Sequence, residues 1–324
     1  MGDTTFGEEL LGRLTTSVVG RRRELESVVA ALAAGRHLLL EGPPGTGKST
    51  LLRSVAEHTG SGFEFVEGNA ELTPARLIGA FDPSVVLAEG YVADAFVDGP
   101  LLSAMRDGSL LYVEEINRVP EETLNVLITV MSEAELHVPR LGRVAATDGF
   151  RLVAAMNPFD AIGTARIAAA VYDRCCRLAM GYQDADDEVR IVDAAAPGPA
   201  ATFGNAPVRA AVDMVRDSRS HNETRTGSSV RGAIDFVMIV HELAALRVTG
   251  PLDPSVTLDA AMLALSGRIR VRDGSPLTAE QIVTELWTRH FGPPGPDSDD
   301  ADGDAADRSG DQSGQNATGD QGKA

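Results

Sequence analysis

Residues 38–50 read LLLEGPPGTGKST, and their reading decides the fold. They fill the pattern G-x-x-x-x-G-K-[ST] with Gly42, Pro43, Pro44, Gly45, Thr46, Gly47, Lys48 and Ser49, followed by Thr50. Glycines let the backbone curl tightly, so that successive N–H groups point inward at phosphate oxygens. Lys48 puts a point charge on β- and γ-phosphates, and the Ser49 hydroxyl suits Mg²⁺. The flanks agree with this reading. Residues 37–40 form a short apolar run suited to a buried parallel strand. After Lys48, STLLRSVAEHTG reads as a helix with Leu51, Leu52 and Val55 on one side and Gly60 as its stop. Strand, glycine loop and helix N-terminus together make an anion site. The loop is therefore expected to bind a nucleotide.

Working outward, the 324 residues suffice for about two domains. Apolar content of 43% and charged content of 23% are ordinary for a globular core. The formal net charge is −18, and residues 297–324 alone hold eight aspartates against Arg308 and Lys323. An acidic body argues against nonspecific nucleic-acid binding, which needs clustered Lys and Arg to displace counterions. The adjacent Cys175 and Cys176 fit neither a zinc site nor a redox C-x-x-C, and are expected as small apolar residues in a buried strand. No run approaches the ~20 apolar residues of a membrane helix, and the N-terminus MGDTTFGEEL lacks a signal-peptide pattern. A cytoplasmic protein is expected.

Strand-like and helix-like segments alternate from about residue 12 to 182, which predicts an α/β fold with a parallel five-stranded sheet flanked by helices. The strand candidates are 36–40, 62–66, 109–113, 150–156 and 175–180. A helix is predicted to open with Pro120 as its first residue, burying Leu124, Leu127, Ile128 and Met131. From 184 to 291 the strand pattern stops and five helical segments predict a small bundle, with APGPAATFGNAP as a linker between the first two. Beyond FGPPGPDSDD there is no aromatic or branched aliphatic residue, so an acidic disordered tail is expected. The domains are thus expected at 1–182, 183–292 and 293–324.

Two further motifs accompany the loop. SLLYVEEINR (109–118) is an apolar strand ending in two carboxylates, placed where parallel sheets bind ligands. Glu114 is expected to orient the Mg²⁺ shell, and Glu115 to take a proton from an attacking water. FRLVAAMNPFD (150–160) is a buried strand ending in Asn157, suited to hold that water or the γ-phosphate.

GPPGTGKS, LLYVEEINR, MNP, AAAVYDRCCRLAM and TGSSVRGAID occur in the order and spacing of the AAA+ ATPases. The chain resembles more narrowly their MoxR branch, relatives of the magnesium-chelatase ATPase subunit, over about residues 12–290. EINRVPEETLNVLITVMSE is the narrowest part of the match. The resemblance implies a P-loop AAA+ sheet followed by a small α-helical lid, with ATP and Mg²⁺ bound between them and the adenine near SVVGRRRELE. It implies a homo-oligomeric ring, usually a hexamer. The arginine after the Asn motif would reach a neighbour's site and falls on Arg174, with Arg177 and Arg166 as alternatives. Such an arginine neutralises charge on the transferred phosphoryl group. A second arginine, Arg231, opens a lid helix. Two inserts, 81–101 and 136–150, would grip a client. Two departures stand out: Glu114 replaces the usual Asp, and Cys175 replaces the aromatic after the finger.

The leading expectation is a ring ATPase that remodels or matures a protein client, chaperone-like, with metal-centre insertion and a von Willebrand factor A domain partner implied by the resemblance. The alternatives are a nucleotide-gated scaffold with little hydrolysis, and a GTP-using nucleic-acid-linked motor, which the acidic body disfavours.

Overall fold

The structure, a computed structural model, describes residues 8–158 and 169–292. Helices α1 (Glu8–Ser17) and α2 (Arg22–Ala33) lead into β1 (His37–Glu41), and α3 (Lys48–Thr59) carries the chain to β2 (Phe63–Glu67). There follow α4 (Pro74–Ile78), β3 (Gly79–Phe81), α5 (Pro83–Glu89), β4 (Phe96–Asp98), α6 (Pro100–Asp107) and β5 (Leu110–Glu114). Then come α7 (Glu121–Glu133), the hairpin β6 (Glu135–Val138) and β7 (Gly142–Ala145), β8 (Arg151–Met156), α8 (Ala169–Arg174) and β9 (Cys175–Ala179). The rest is helical: α9 (Ala185–Ala195), α10 (Pro197–Phe203), α11 (Asn205–Ser220), α12 (Val230–Arg247), α13 (Pro254–Leu265) and α14 (Ala279–Phe291). Two short strands, β10 (Thr224–Thr226) and β11 (Arg270–Val271), pair antiparallel within it.

The main sheet has the order β2-β5-β8-β1-β9, every pair parallel. Its two faces bury different side chains because successive residues of a strand point to opposite sides. Leu39, Leu111, Val113 and Leu152 join the helices α6 and α7 on one face. Leu38, Leu40, Tyr112 and Val153 join α1, α2 and α3 on the other. Leu38, Leu39 and Leu40 are all buried; each contributes about 2 kcal/mol by leaving water. A separate core, built around Phe203, Phe236 and Trp287, unites α9 to α14.

The five predicted strands are all present, each end within one residue of its expected bound. Several details differ. Pro120 is the N-cap of α7 rather than its first residue. The buried stripe of α7 is Thr123, Leu124, Leu127, Val130 and Met131, with Ile128 only partly covered. The stripe is rotated because the sheet meets the helix on its Leu127–Val130–Met131 side. The expected linker APGPAATFGNAP is largely helix α10, which Pro197 starts and whose Ala200 and Phe203 are buried. β9 is an edge strand rather than a buried one, so Cys176 is exposed and Cys175 half-buried; burial still pushes the Cys175 thiol up to about 12. The insert expected at 81–101 begins with β3 at Gly79, whose φ of 117° only glycine adopts freely. None of the described helices is long and apolar enough to cross a membrane. The expected tail at 293–324 and Arg166 lie outside the described residues.

His37, the first residue of β1, accepts a hydrogen bond at Nδ1 from the Leu152 amide (2.9 Å) and meets the Phe150 ring edge-on. Burial, then the nearby Arg151, lower its pKa to about 4. Its neutral form is therefore the folded one, and the unfolded chain takes the proton first as pH falls below 6.5. His37 thus withdraws stability between pH 6.5 and about 4. We expect His37→Gln to be less stable at pH 7, with a deficit that shrinks across that window when thermal midpoints are compared. A deficit independent of pH would show that His37 titrates normally.

Candidate active site

The carboxyl ends of three adjacent strands meet at one edge of the sheet. β1 runs into the glycine loop, β5 ends on Glu114, and β8 ends on Met156 just before Asn157. The loop is anchored by main chain on both sides. Met180 N donates to Glu41 O (2.7 Å), and Gly42 N donates to Met156 O (3.1 Å). A side chain at Gly42 would sit 2.2 Å from Met180 O, so glycine is required there. Gly45 and Gly47 take φ of 76° and 83°, turning successive amides toward the N-terminus of α3.

Lys48 is only 7% exposed, and its Nζ donates to Gly42 O (2.8 Å) and Pro43 O (3.0 Å). Burial holds its ammonium below the ordinary lysine range; Glu114 and Glu115 act against this, while the charges of Arg231 and Arg21 add to it. Ser49 Oγ donates to Glu114, 3.1 and 3.3 Å from its two oxygens, and lies 3.3 Å from Tyr112 Oη. Thr46 Oγ1 closes the loop on Pro43 O (3.0 Å). Pro44 and Thr50 belong to the same loop and the first turn of α3. The expected loop residues and the first carboxylate are therefore brought together.

Glu115 takes a left-handed backbone (φ 52°, ψ 44°) at the turn after β5. A non-glycine residue held this way is locally strained, and such strain persists only where surroundings impose it. Here Gly68 imposes it: its N donates to Glu114 O (2.7 Å), and a side chain on it would lie 2.4 Å from Glu115 O. The Glu115 carboxylate pairs with Arg118 (2.8 Å).

Arg231 lies in the first turn of α12, near enough to influence Lys48. Ser229, the N-cap of α12, presses on the loop so closely that a side chain at Gly45 would meet its Oγ at 2.3 Å. The N-terminus of an 18-residue helix thus abuts the glycine loop, adding its positive dipole end to the anion site. Arg174 is placed elsewhere. It ends α8 beside Cys175, which pairs with His37 at the opposite end of β1. Five strand residues separate that end from the loop, roughly 17 Å. Its guanidinium bonds Ser132 on α7 and Ala170 O. Arg177 is engaged by Glu41 (2.5 Å).

The chemistry of the donors suits Mg²⁺ as well as phosphate. Among the described residues no cluster of three or more His, Cys, Asp and Glu could hold a metal. Ser49 and Glu114 alone converge beside the loop, which fits an ion that takes one or two protein ligands and completes its shell with water and phosphate oxygens.

The sequence reading missed Arg21. It is 3% exposed, and its Nη2 donates to Thr46 O (2.9 Å), Gly181 O (2.5 Å) and Gln183 Oε1 (3.0 Å), while Nη1 pairs with Glu24 (2.7 Å). It ties the glycine loop to the segment between β9 and α9. In GRRRELE it is indistinguishable from Arg22 and Arg23 without knowing which one faces inward. Gly68, which belongs to no motif, was also missed; Tyr112 and Ser229 lie within SLLYVEEINR and TGSSVRGAID, but their contacts with Ser49 and the glycine loop come from the fold rather than the pattern.

Residues 37–175 match the AAA domain of the dynein-related subfamily. An uncharacterized protein of Staphylococcus aureus is 34% identical over 153 residues, 47% of this chain. The match spans 57% of that relative's length, so the chain covers little more than half of it. A gas vesicle ATPase, GvpN2 of Halobacterium salinarum, is 29% identical over 80% of this chain and 76% of its own. A RuvB variant of Thermotoga maritima superposes with a TM-score of 0.51 at 17% identity, covering 78% of this chain and 72% of that one, a likeness of fold alone.

Arg21→Ala leaves the buried Thr46 carbonyl without its donor and removes the bonds to Gly181 O and Gln183 Oε1, and should lower the unfolding free energy by about 1–3 kcal/mol. Arg22→Ala, at an exposed neighbour with one i,i+4 pair, should stay within about 0.5 kcal/mol. Urea denaturation of the two variants side by side checks this; equal effects would remove Arg21 from its structural role.

Proposed function

Taking the AAA domain at residues 37–175 as premise, we propose that the chain hydrolyses ATP with Mg²⁺ in an oligomeric ring and uses the cycle to remodel a protein client. The convergence of Ser49 and Glu114 beside the glycine loop, with Glu115 next in sequence, carries this reading. The loop amides and the N-termini of α3 and α12 cradle the phosphates. Lys48 exchanges its loop carbonyls for phosphate oxygens. Ser49 and Glu114 would hold Mg²⁺, which supplies charge neutralisation at the phosphates when bound. Glu115 accepts a proton from the attacking water, and Asn157 orients that water. Arg231 acts from the helical lid in the same chain. Arg174, a strand's length from its own loop, serves a neighbouring copy's site. The resemblance to the AAA+ ATPases supports a hexamer for that ring.

The name of the Halobacterium relative, a gas vesicle ATPase, supports hydrolysis as the reaction. The MoxR-like motifs support a chaperone-like role with a von Willebrand factor A domain partner. The two inserts support a client surface. Arg140, at the tip of the β6–β7 hairpin, lies 3.5 Å from the Tyr91 ring of the other insert, and Leu87 of that insert is 89% exposed.

A second reading, a scaffold with little turnover, draws on one observation. The Glu115–Arg118 pair must be re-aimed before that carboxylate can take a proton. Hydrolysis of Mg·ATP per subunit, measured across protein concentration, separates the two. A rate that climbs with concentration is expected, because sites are completed between copies. Glu115→Gln should bind ATP but hydrolyse it about 10²-fold more slowly or worse. Undiminished hydrolysis by this variant would overturn the general-base role, and a flat, near-zero rate with ATP bound would favour the scaffold.

A further inference from the structure

Glu41 is the last residue of β1, directly before Gly42, and it is only 4% exposed. A carboxylate so deeply buried needs partners, since an unpaired buried charge is costly. It has two, both from the segment that carries Arg174. Tyr172 Oη on α8 donates to Glu41 Oε1 (2.7 Å), and Arg177 Nε on β9 donates to Oε2 (2.5 Å). The main chain of Glu41 meanwhile accepts from Met180, beyond the end of β9. Tyr172 and Arg177 are themselves partly open to water, 40% for Tyr172, so apolar packing does not explain their position. Val171 in the core and the Arg174 bond to Ser132 are the other holds on this short helix.

We propose that Glu41 is a positioning residue that couples the glycine loop of one subunit to the arginine it offers its neighbour. The carboxylate grips α8 through Tyr172 and β9 through Arg177. The fixed loop end of β1 thereby sets the position of the helix that ends in Arg174. The inference rests on the in-trans role of Arg174 proposed above. A finger displaced by about 1 Å can cost about 10²-fold in rate, so a carboxylate that touches no reacting atom could control turnover in the next subunit.

Mixed assemblies separate donation of the finger from use of the site. A donor chain carrying Glu115→Gln keeps Arg174 but cannot hydrolyse, and an acceptor carrying Arg174→Ala keeps its base but lacks a finger. Activity of the mixture then reads only fingers donated to acceptor sites. Adding Glu41→Gln to the donor removes one of its two acceptor positions. We expect the kcat of the mixture to fall about tenfold or more, with KM, set by the unaltered acceptor loop, held constant. Tyr172→Phe in the donor, a milder change that deletes one hydroxyl, should fall in the same direction and covers the case in which Glu41→Gln fails to fold. Undiminished activity with both donors would overturn the coupling. A fall in kcat only when Glu41→Gln sits in the acceptor would also overturn it, by showing that Glu41 serves its own loop. A silent mixture with Glu41 intact would instead overturn the in-trans reading, and this inference with it.

Discussion

Two main-chain hydrogen bonds at the end of β1 hold the rest of the site in place. Met180 N to Glu41 O and Gly42 N to Met156 O tie the last turn before the glycine loop to β9 on one side and β8 on the other. A strand flanked on both sides has no freedom to shift laterally, so the loop inherits a fixed origin. Leu38, Leu39 and Leu40 lock the strand vertically between two apolar layers. Every later element of the site is measured from this point: α3 starts from the loop, Asn157 follows the strand that bonds Gly42, and the segment after β9 passes over Arg21. Gly42 is a tight spot, since the Met180 carbonyl leaves no room for a Cβ.

The second constraint is electrostatic. Lys48, Arg21 and Arg231 gather near one loop, with Glu114 and Glu115 as the nearby counter-charges. Helix N-termini at α3 and α12 add positive potential at the same place. A protein of net charge −18 that concentrates cations and dipoles in one buried corner stores repulsion there. The cost is offset when a polyanion arrives, because desolvated charges interact more strongly than exposed ones. Arg21 shows how the cost is contained without a ligand: three oxygens of the loop and the following segment absorb its charge. The buried Glu188, gripped by Arg216 and Arg219 of α11, does the same at the base of α9. The Arg21 bonds tie the segment leading into the helical region to the glycine loop, whereas the Glu188 bonds hold α9 and α11 together within that region.

Local patterns in the sequence carried the architecture well. Five apolar runs at regular spacing gave the sheet, because a doubly covered parallel sheet leaves little choice of residue at each position. The glycine loop and the Glu-Glu strand were legible for the same reason: few side chains satisfy phosphate and Mg²⁺ together. What was illegible depends on tertiary facing. Cys175 and Cys176 look like core residues, yet β9 lies at an edge. APGPAATFGNAP has the composition of a linker, but Phe203 stacks on Phe291 and edges against Phe236, and so recruits it into α10. Arg21 and Glu41 are charged residues whose meaning comes entirely from what folds around them. A charge ending an otherwise apolar strand, as at Glu41, was the one available signal.

The placement of Arg174 follows from strand direction, and its consequence is general. In a parallel sheet all carboxyl ends lie on one side, so a residue preceding a strand and a residue following its neighbour sit at opposite edges. Arg174 precedes β9; the glycine loop follows β1; the two strands pair in register from His37–Cys175 to Glu41–Ala179. No side-chain rotation closes a gap of roughly 17 Å. An arginine in this position does not reach the glycine loop of its own chain. The same geometry gives Glu41 its interest, because it stands at the loop end of β1 while its partners Tyr172 and Arg177 bracket Arg174 in sequence. In the proposed cycle a single buried carboxylate therefore spans the two roles that strand direction separates: holding a nucleotide in one copy and completing the site of the next.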